Sequence, residues 1–223
     1  MGKLSIVSNG VSTFADRNEA ARLLAHELRS IVDNKTVSLG ILRGGIVIAR
    51  QIASVNGTEL DIVLSRKIGA PMNPELAVGA VSESGELFVQ RETASYAGAD
   101  DEYIRREAQH QMVEIKRRAL LFRKIAPKVP LEGKTVVISD DGVATGATMR
   151  AAIWAVRRER PKLLIVAVPV GARETLSMLA RDVDEIVALE APRDFDSVGS
   201  FYLRFAQVED KEVLAILKEY KAG

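Results

Sequence analysis

There is no cysteine in the chain, which excludes disulfides, thiolate zinc sites and cysteine nucleophiles, and is compatible with a reducing compartment. Only two histidines are present, too few for histidine-rich metal chemistry; His26 and His110 fall on predicted helices and read as bystanders. Net charge is nearly absent as well. With 31 basic and 30 acidic side chains the formal charge is +1, so no general attraction to nucleic acid or membrane is expected, and any basic site must be local. Long apolar runs are missing too, since LLIVAVPVGA (163 to 172) is about half of what a bilayer span needs. The opening MGKLSIVSNGVSTF lacks a signal-peptide core, and Ile6 breaks the myristoylation pattern. A cytoplasmic protein is the expectation.

What is there, 223 residues at 47% hydrophobic and 27% charged, suits one α/β domain. Ala20, Leu23, Leu24, Leu28 and Ile31 fall at helical spacing after Asp16. TVSLGI (36 to 41) reads as a buried strand, LRGG (42 to 45) as a tight turn, IVIARQIASV as a helix and DIVLSR (61 to 66) as a second strand, together a βαβ unit. The Gly-, Pro-, Ser- and Glu-rich stretch from Arg66 to Ala99 is expected to be mobile, with a short hairpin around Ser84-Gly85. A long helix follows over 100 to 124. Its apolar face, Ile104, Ala108, Met112, Ile115, Ala119 and Phe122, can pack within the monomer or across a homodimer. Its basic end, KRRALLFRK, is read as a solvated face. Beyond Gly133 the alternation resumes: TVVIS strand, helix 147 to 159, LLIVAVPV strand, a helix around 174 to 179, EIVALE strand, and a closing helix from about Asp210. Such alternation implies a mostly parallel sheet with helices on both faces.

The most informative stretch is VVISDDGVATGATM. An apolar strand ends in two carboxylates, and small residues then lead into a helix whose unpaired N–H groups and partial positive charge suit a phosphate. Gly142, Ala144, Gly146 and Ala147 are small enough to let phosphate approach the backbone, and Thr145 and Thr148 add hydroxyl donors. No lysine follows Gly146, so the nucleoside-triphosphate loop pattern fails, and G-x-G-x-x-G is absent. A phosphate monoester is expected. Adjacent carboxylates repel unless something cationic or hydroxyl-rich binds them, so Asp140 and Asp141 suit a ribose diol, with or without Mg²⁺. A plain capping turn would account for Asp140 and the glycines singly; the order of strand, paired acids, small-residue loop and helix is the stronger signal.

DDGVATGAT (140 to 148) resembles the phosphoribosyl-pyrophosphate (PRPP) motif of type I phosphoribosyltransferases, especially the adenine-specific form with its ATGGT loop. The resemblance runs from FADR (14 to 17) to the C-terminal segment. It implies the α/β type I phosphoribosyltransferase fold as a single domain over 1–223, with a flexible loop at about 66–99, an inserted helix at about 100–124 and a C-terminal hood at about 190–208. RKIGAPMNPELAVGAV is similar to a bacterial and archaeal branch of these proteins whose acceptor is unassigned. By the same resemblance, Gly142, Val143, Ala144, Thr145, Gly146, Ala147 and Thr148 hold the 5-phosphate. Arg43, Gly44, Arg66 and Lys67 meet pyrophosphate, and LRGG often carries a cis peptide in the family. Arg43, Lys67, Asp140 and Asp141 are the implied catalytic set, and Asp140 and Asp141 the implied Mg²⁺ carboxylates, directly or through water. In EIVALEAPRDFDSVGSFY, similar to the hood of hypoxanthine-guanine enzymes, Phe195 is the candidate to stack on the acceptor.

Two positions depart from that hood enzyme. Ala144 stands where it has an aspartate base, and Val170 where it has a lysine beside the base's exocyclic oxygen, which argues against a 6-oxopurine acceptor. Glu83 or Glu86 on the hairpin is the alternative base. The implied activity is magnesium-dependent transfer of ribose 5-phosphate from PRPP to a small nitrogen acceptor, a nucleobase, as in nucleotide salvage. The rival is a non-catalytic PRPP- or nucleotide-binding regulatory protein.

Overall fold

The runs TVVIS, LLIVAVPV and EIVALE are apolar at successive positions, the pattern of strands covered on both faces. In the computed structural model, which describes residues 2–7 and 13–222, they are central strands of a parallel sheet. The opening segment thus lies partly outside the described residues. The six strands are β1 (Lys3–Ile6), β2 (Val37–Ile41), β3 (Glu59–Val63), β7 (Thr135–Ser139), β8 (Leu163–Val170) and β9 (Glu185–Glu190). Their order across the sheet is β1-β9-β8-β7-β2-β3, every pair parallel. From β7 the chain crosses toward β8, and from β2 it crosses the other way toward β3. The crevice beyond the carboxyl ends of β2 and β7 is therefore the topological switch point, where open α/β sheets bind ligands.

Helices α1 (Arg17–Glu27) and α2 (Gly45–Asn56) cover one face, burying Leu24, Ile48 and Ile52 against β7, β8 and β9 residues. Asp16 starts α1 by accepting from the Asn18 and Glu19 amides at 3.0 and 3.1 Å, the usual N-cap arrangement. Helices α5 (Ala147–Arg158) and α6 (Arg173–Leu179) cover the other face.

The segment expected to be mobile contains a second, antiparallel sheet of β4 (Ser65–Ala70), β5 (Asn73–Ser82) and β6 (Leu87–Val89). The hairpin around Ser84-Gly85 is there, with Gly79 opposite Val89 and Val81 opposite Leu87. The inner residues of this sheet, Ile68, Val78, Ala80 and Val81, are buried in the core clusters. The strand expected over 61 to 66 splits at Leu64, where the chain leaves the main sheet for the arm.

A short helix α3 (Arg91–Tyr96) leads into α4 (Asp101–Phe122), and α7 (Asp210–Ala222) closes the chain. Ile104, Ala108, Ile115 and Phe122 of α4 are buried with arm residues and with Val213 and Leu217 of α7. The apolar face that left a dimer open thus packs within the chain. Arg123 locks the far end of α4: it donates to both Glu83 oxygens at 2.8 Å and to the Asp61 carboxylate at 2.5 Å. Asp61 is buried and also accepts from the Val129 amide. Among the described residues no helix is long and apolar enough to cross a membrane.

Candidate active site at the switch point

Two βα turns meet in the crevice. LRGG leaves β2 with a cis Leu42–Arg43 peptide and lies against the end of β7. A Cβ on Gly44 would fall 2.0 Å from Asp141 Oδ2, and one on Gly45 would fall 2.3 Å from the Ser139 carbonyl oxygen. Only glycine lets the two turns touch.

Asp141 is held from two sides. Arg17 Nε donates to its Oδ2 at 2.7 Å, with both side chains largely buried. The same guanidinium donates to the Ala206 carbonyl at 2.7 Å and lies over the Phe205 ring, 3.8 Å from its centroid. The Tyr202 hydroxyl donates to the Asp141 carbonyl at 2.6 Å; burial, then the Asp141 charge, push that phenol's pKa up. Asp140 has no arginine partner. Its Oδ1 accepts from the Asp141 amide at 2.9 Å, and burial together with the neighbouring Asp141 charge raise its carboxyl well above the usual range.

From Gly142 the loop is fastened to the next strand and helix rather than to itself. The Val143 amide donates to the Val170 carbonyl at 2.9 Å and the Ala172 amide to the Val143 carbonyl at 3.0 Å. Thr175 of α6 donates its hydroxyl to the Ala144 carbonyl at 2.8 Å. Gly146 adopts φ +78°, and α5 starts on it without a side-chain cap. Of the first-turn amides of α5, that of Ala147 meets only the Thr145 hydroxyl, at 3.5 Å, and Ala144, Thr145 and Thr148 are exposed beside them, a geometry suited to a phosphate. A Cβ on Gly142 would lie 2.6 Å from Val198, so the hood over 190–208 sits directly on the loop.

On the other side of the loop opens a cavity of about 450 Å³ that Leu42, Arg66, Lys67 and Thr148 help to line. The structure therefore brings the LRGG turn, the Arg66-Lys67 pair and the phosphate loop around one space. Arg66 Nε donates to Gln111 of α4, and Lys67 pairs with Glu75 at 2.8 Å. Arg43 is not among the residues lining it. Its guanidinium turns to Asp210 at the start of α7, 3.9 Å away. Phe195 is half-buried and stacks on Phe201 with centroids 5.4 Å apart. Glu83 is not available as a base, because Arg123 holds both of its oxygens; Glu86 is exposed at the hairpin.

Residue reading missed Arg17, Tyr202 and the α4 contribution to the cavity. FADR held the only signal. Phe14 is fully buried and packs at a tilt against Tyr202, centroids 5.5 Å apart, its amide and carbonyl pair with Phe201 and Leu203, and Arg17 reaches Asp141, so that the motif ties the hood to the paired acids.

The family model described as a phosphoribosyl transferase domain matches residues 12–202. Two Mycobacterium tuberculosis proteins, from strains CDC 1551 and H37Rv and provisionally named phosphoribosyl transferases, are each 37% identical over 204 residues, 92% of this chain and 46% of theirs. The chain spans about half the length of these curated relatives. Among solved structures, TT1426 from Thermus thermophilus is 46% identical with a TM-score of 0.88, covering 93% of this chain and 99% of that one. AQ2163 from Aquifex aeolicus, at 14% identity and a TM-score of 0.50 over 82% of this chain and 78% of its own, shares the fold alone.

Proposed function

The chain belongs to the phosphoribosyltransferase family, and from that premise we propose that it transfers the ribose 5-phosphate group of PRPP to a nitrogen of a small acceptor, a nucleobase, releasing pyrophosphate. The observation that carries this reading is the meeting of two turns at the switch point, with Gly44 against the Asp141 carboxylate and the uncapped start of α5 alongside.

In the transfer, the bond from C1 to the pyrophosphate oxygen breaks with its electron pair leaving on oxygen, and the acceptor nitrogen forms the new bond to C1 and releases its proton to water. Positive charge develops on the ribose ring and negative charge on the leaving group, as in glycosidic cleavage. The α5 amides and the Thr145 and Thr148 hydroxyls anchor the 5-phosphate. Asp140, free of an arginine, takes the ribose hydroxyls, while Arg17 fixes Asp141 behind it. Arg66, Lys67 and the Gly44 amide stabilise the charge gathering on pyrophosphate. Phe195 offers a partly open aromatic face to the acceptor.

Asp140 and Asp141 are hard oxygen donors that suit Mg²⁺, but one Asp141 oxygen is already paired with Arg17, and the described residues hold no group of three or more metal-binding side chains. This donor set fits an ion that arrives on the substrate phosphates and takes few ligands from protein. When bound it supplies neutralising charge at the leaving group.

The test is pyrophosphate release from PRPP and Mg²⁺ across a panel of purine, pyrimidine and other nitrogen acceptors. Release that depends on one acceptor class is expected. PRPP binding without release for any acceptor would instead favour a regulatory binder, and absence of PRPP binding would overturn the reading.

A further inference from the structure

The inserted helix α4 does more than shield the arm. It forms one wall of the 450 Å³ cavity, contributing Tyr103, Glu107, Gln111 and Arg118 opposite Arg66 and Lys67 of β4. Three cations thus face one space, and Glu107, the single carboxylate among the lining residues, is engaged by the Gln111 amide at 2.5 Å. The cations are only lightly committed. Arg118 pairs with Glu114 through Nε at 2.8 Å, and Arg66 uses Nε for Gln111, which leaves the terminal amino groups of both forks for a ligand. Lys67 is paired with Glu75, whose side chain is 67% exposed, a contact that water weakens. Three cations beside one small cavity, with donors to spare beyond their present partners, suit a multiply charged anion. The same cavity reaches Thr148 of the phosphate loop and Leu42 of the LRGG turn, so the anion lies within reach of a sugar phosphate bound there.

We propose that α4 completes the leaving-group half of the site and that Arg118 is a ligand of the diphosphate, acting with Arg66 and Lys67. This rests on the transferase reading above. A diphosphate matches the arrangement better than a monophosphate, because two guanidinium forks and an ammonium can each meet a separate phosphoryl oxygen. Arg118 follows from the position of α4 over the arm, and spacing in the chain would not reveal it.

Calorimetry on the full chain with Mg²⁺ and three separate probes, pyrophosphate, PRPP and ribose 5-phosphate, tests the assignment. Arg118→Gln and Arg118→Ala should weaken pyrophosphate and PRPP by about tenfold or more, the scale of one lost charge-assisted hydrogen bond, and leave ribose 5-phosphate within about twofold. Arg118→Lys should restore part of the loss. Glu114→Gln, which removes the helix partner and keeps the cation, should bind pyrophosphate nearly as the parent chain does. The assignment is overturned if folded Arg118→Gln binds pyrophosphate unchanged, or if Glu114→Gln loses as much as Arg118→Ala. A parent chain that binds neither PRPP nor ribose 5-phosphate would sink the transferase reading and this inference with it, whereas normal PRPP binding with an indifferent Arg118 sinks the inference alone.

Discussion

Gly44 and Arg17 define what Asp141 can do. The carboxylate sits between a glycine with no room for a methyl group and a guanidinium stacked on Phe205, so its position is set before any ligand arrives. Gly44→Ala should displace that carboxylate and lower PRPP affinity on the order of 10- to 100-fold, the penalty for misplacing a binding group by about 1 Å; a calorimetric titration of the folded variant checks it. Asp141→Asn carries a second consequence. Because Arg17 and Asp141 are 12% and 15% exposed, removing the acid leaves a largely buried cation unpaired, and the chain should lose about 1 to 3 kcal/mol as well as PRPP binding. Asp140→Asn, with no ion pair to break and its charge already opposed by burial, should lose binding at little cost in stability. Equal denaturation midpoints for the two variants would contradict this division between a held acid and a free one.

The arm and α4 work as one element, and Arg123 is the fastening between them. It ties the end of α4 to Asp61 of β3 and to Glu83 at the β5–β6 hairpin. Arg123→Ala strands the buried Asp61 carboxylate and should cost about 3 to 5 kcal/mol, read as a lower denaturant midpoint. In the parent chain without ligand, amides of Ile68, Val78 and Val81 should exchange slowly, while the exposed tip from Pro71 to Glu75 exchanges fast. Uniformly rapid exchange across 66–89 would instead favour a mobile loop. The arm was hard to read because its core is built from small residues: a Cβ on Gly79 would lie 2.4 Å from the Phe88 carbonyl oxygen, so its glycine is a packing device where composition suggests flexibility. β7, β8 and β9 were legible to the residue, since strands buried on both faces leave uninterrupted apolar runs. The turn from Asp140 to Thr148, proposed to hold the phosphate, stood out in the sequence for a related reason, being local in the chain. Arg17 and Arg118 were not, because each reaches the site from a helix distant in the chain, and helical spacing says which face a residue is on without saying what that face meets.

For the molecule as a whole, the sheet order gives the site two separable halves, one on each crossover leaving the switch point. On the proposed reading, the β7 turn and α5 hold the sugar phosphate, and the β2 turn meets the leaving group. Gly146 belongs to the first half: it has φ +78°, and a Cβ there would lie 2.6 Å from Thr175 Cγ2, the residue whose hydroxyl fastens the Ala144 carbonyl. Gly146→Val should therefore shift the loop off α6, cost about 1 to 3 kcal/mol through backbone strain, and abolish binding of ribose 5-phosphate and PRPP together. Arg43 is assigned by the same reading to the second half. Its partner Asp210 is 3.9 Å away, a long contact that a more highly charged ligand can displace, so Arg43→Ala should leave the fold intact and weaken PRPP much more than ribose 5-phosphate, which has no pyrophosphate to lose. The two variants titrated with both ligands give four affinities, and the expected pattern is a loss in three of them. If Arg43→Ala instead weakened both ligands equally, the β2 turn would be holding the sugar, and the division of the switch point into a sugar-phosphate half and a leaving-group half would fail.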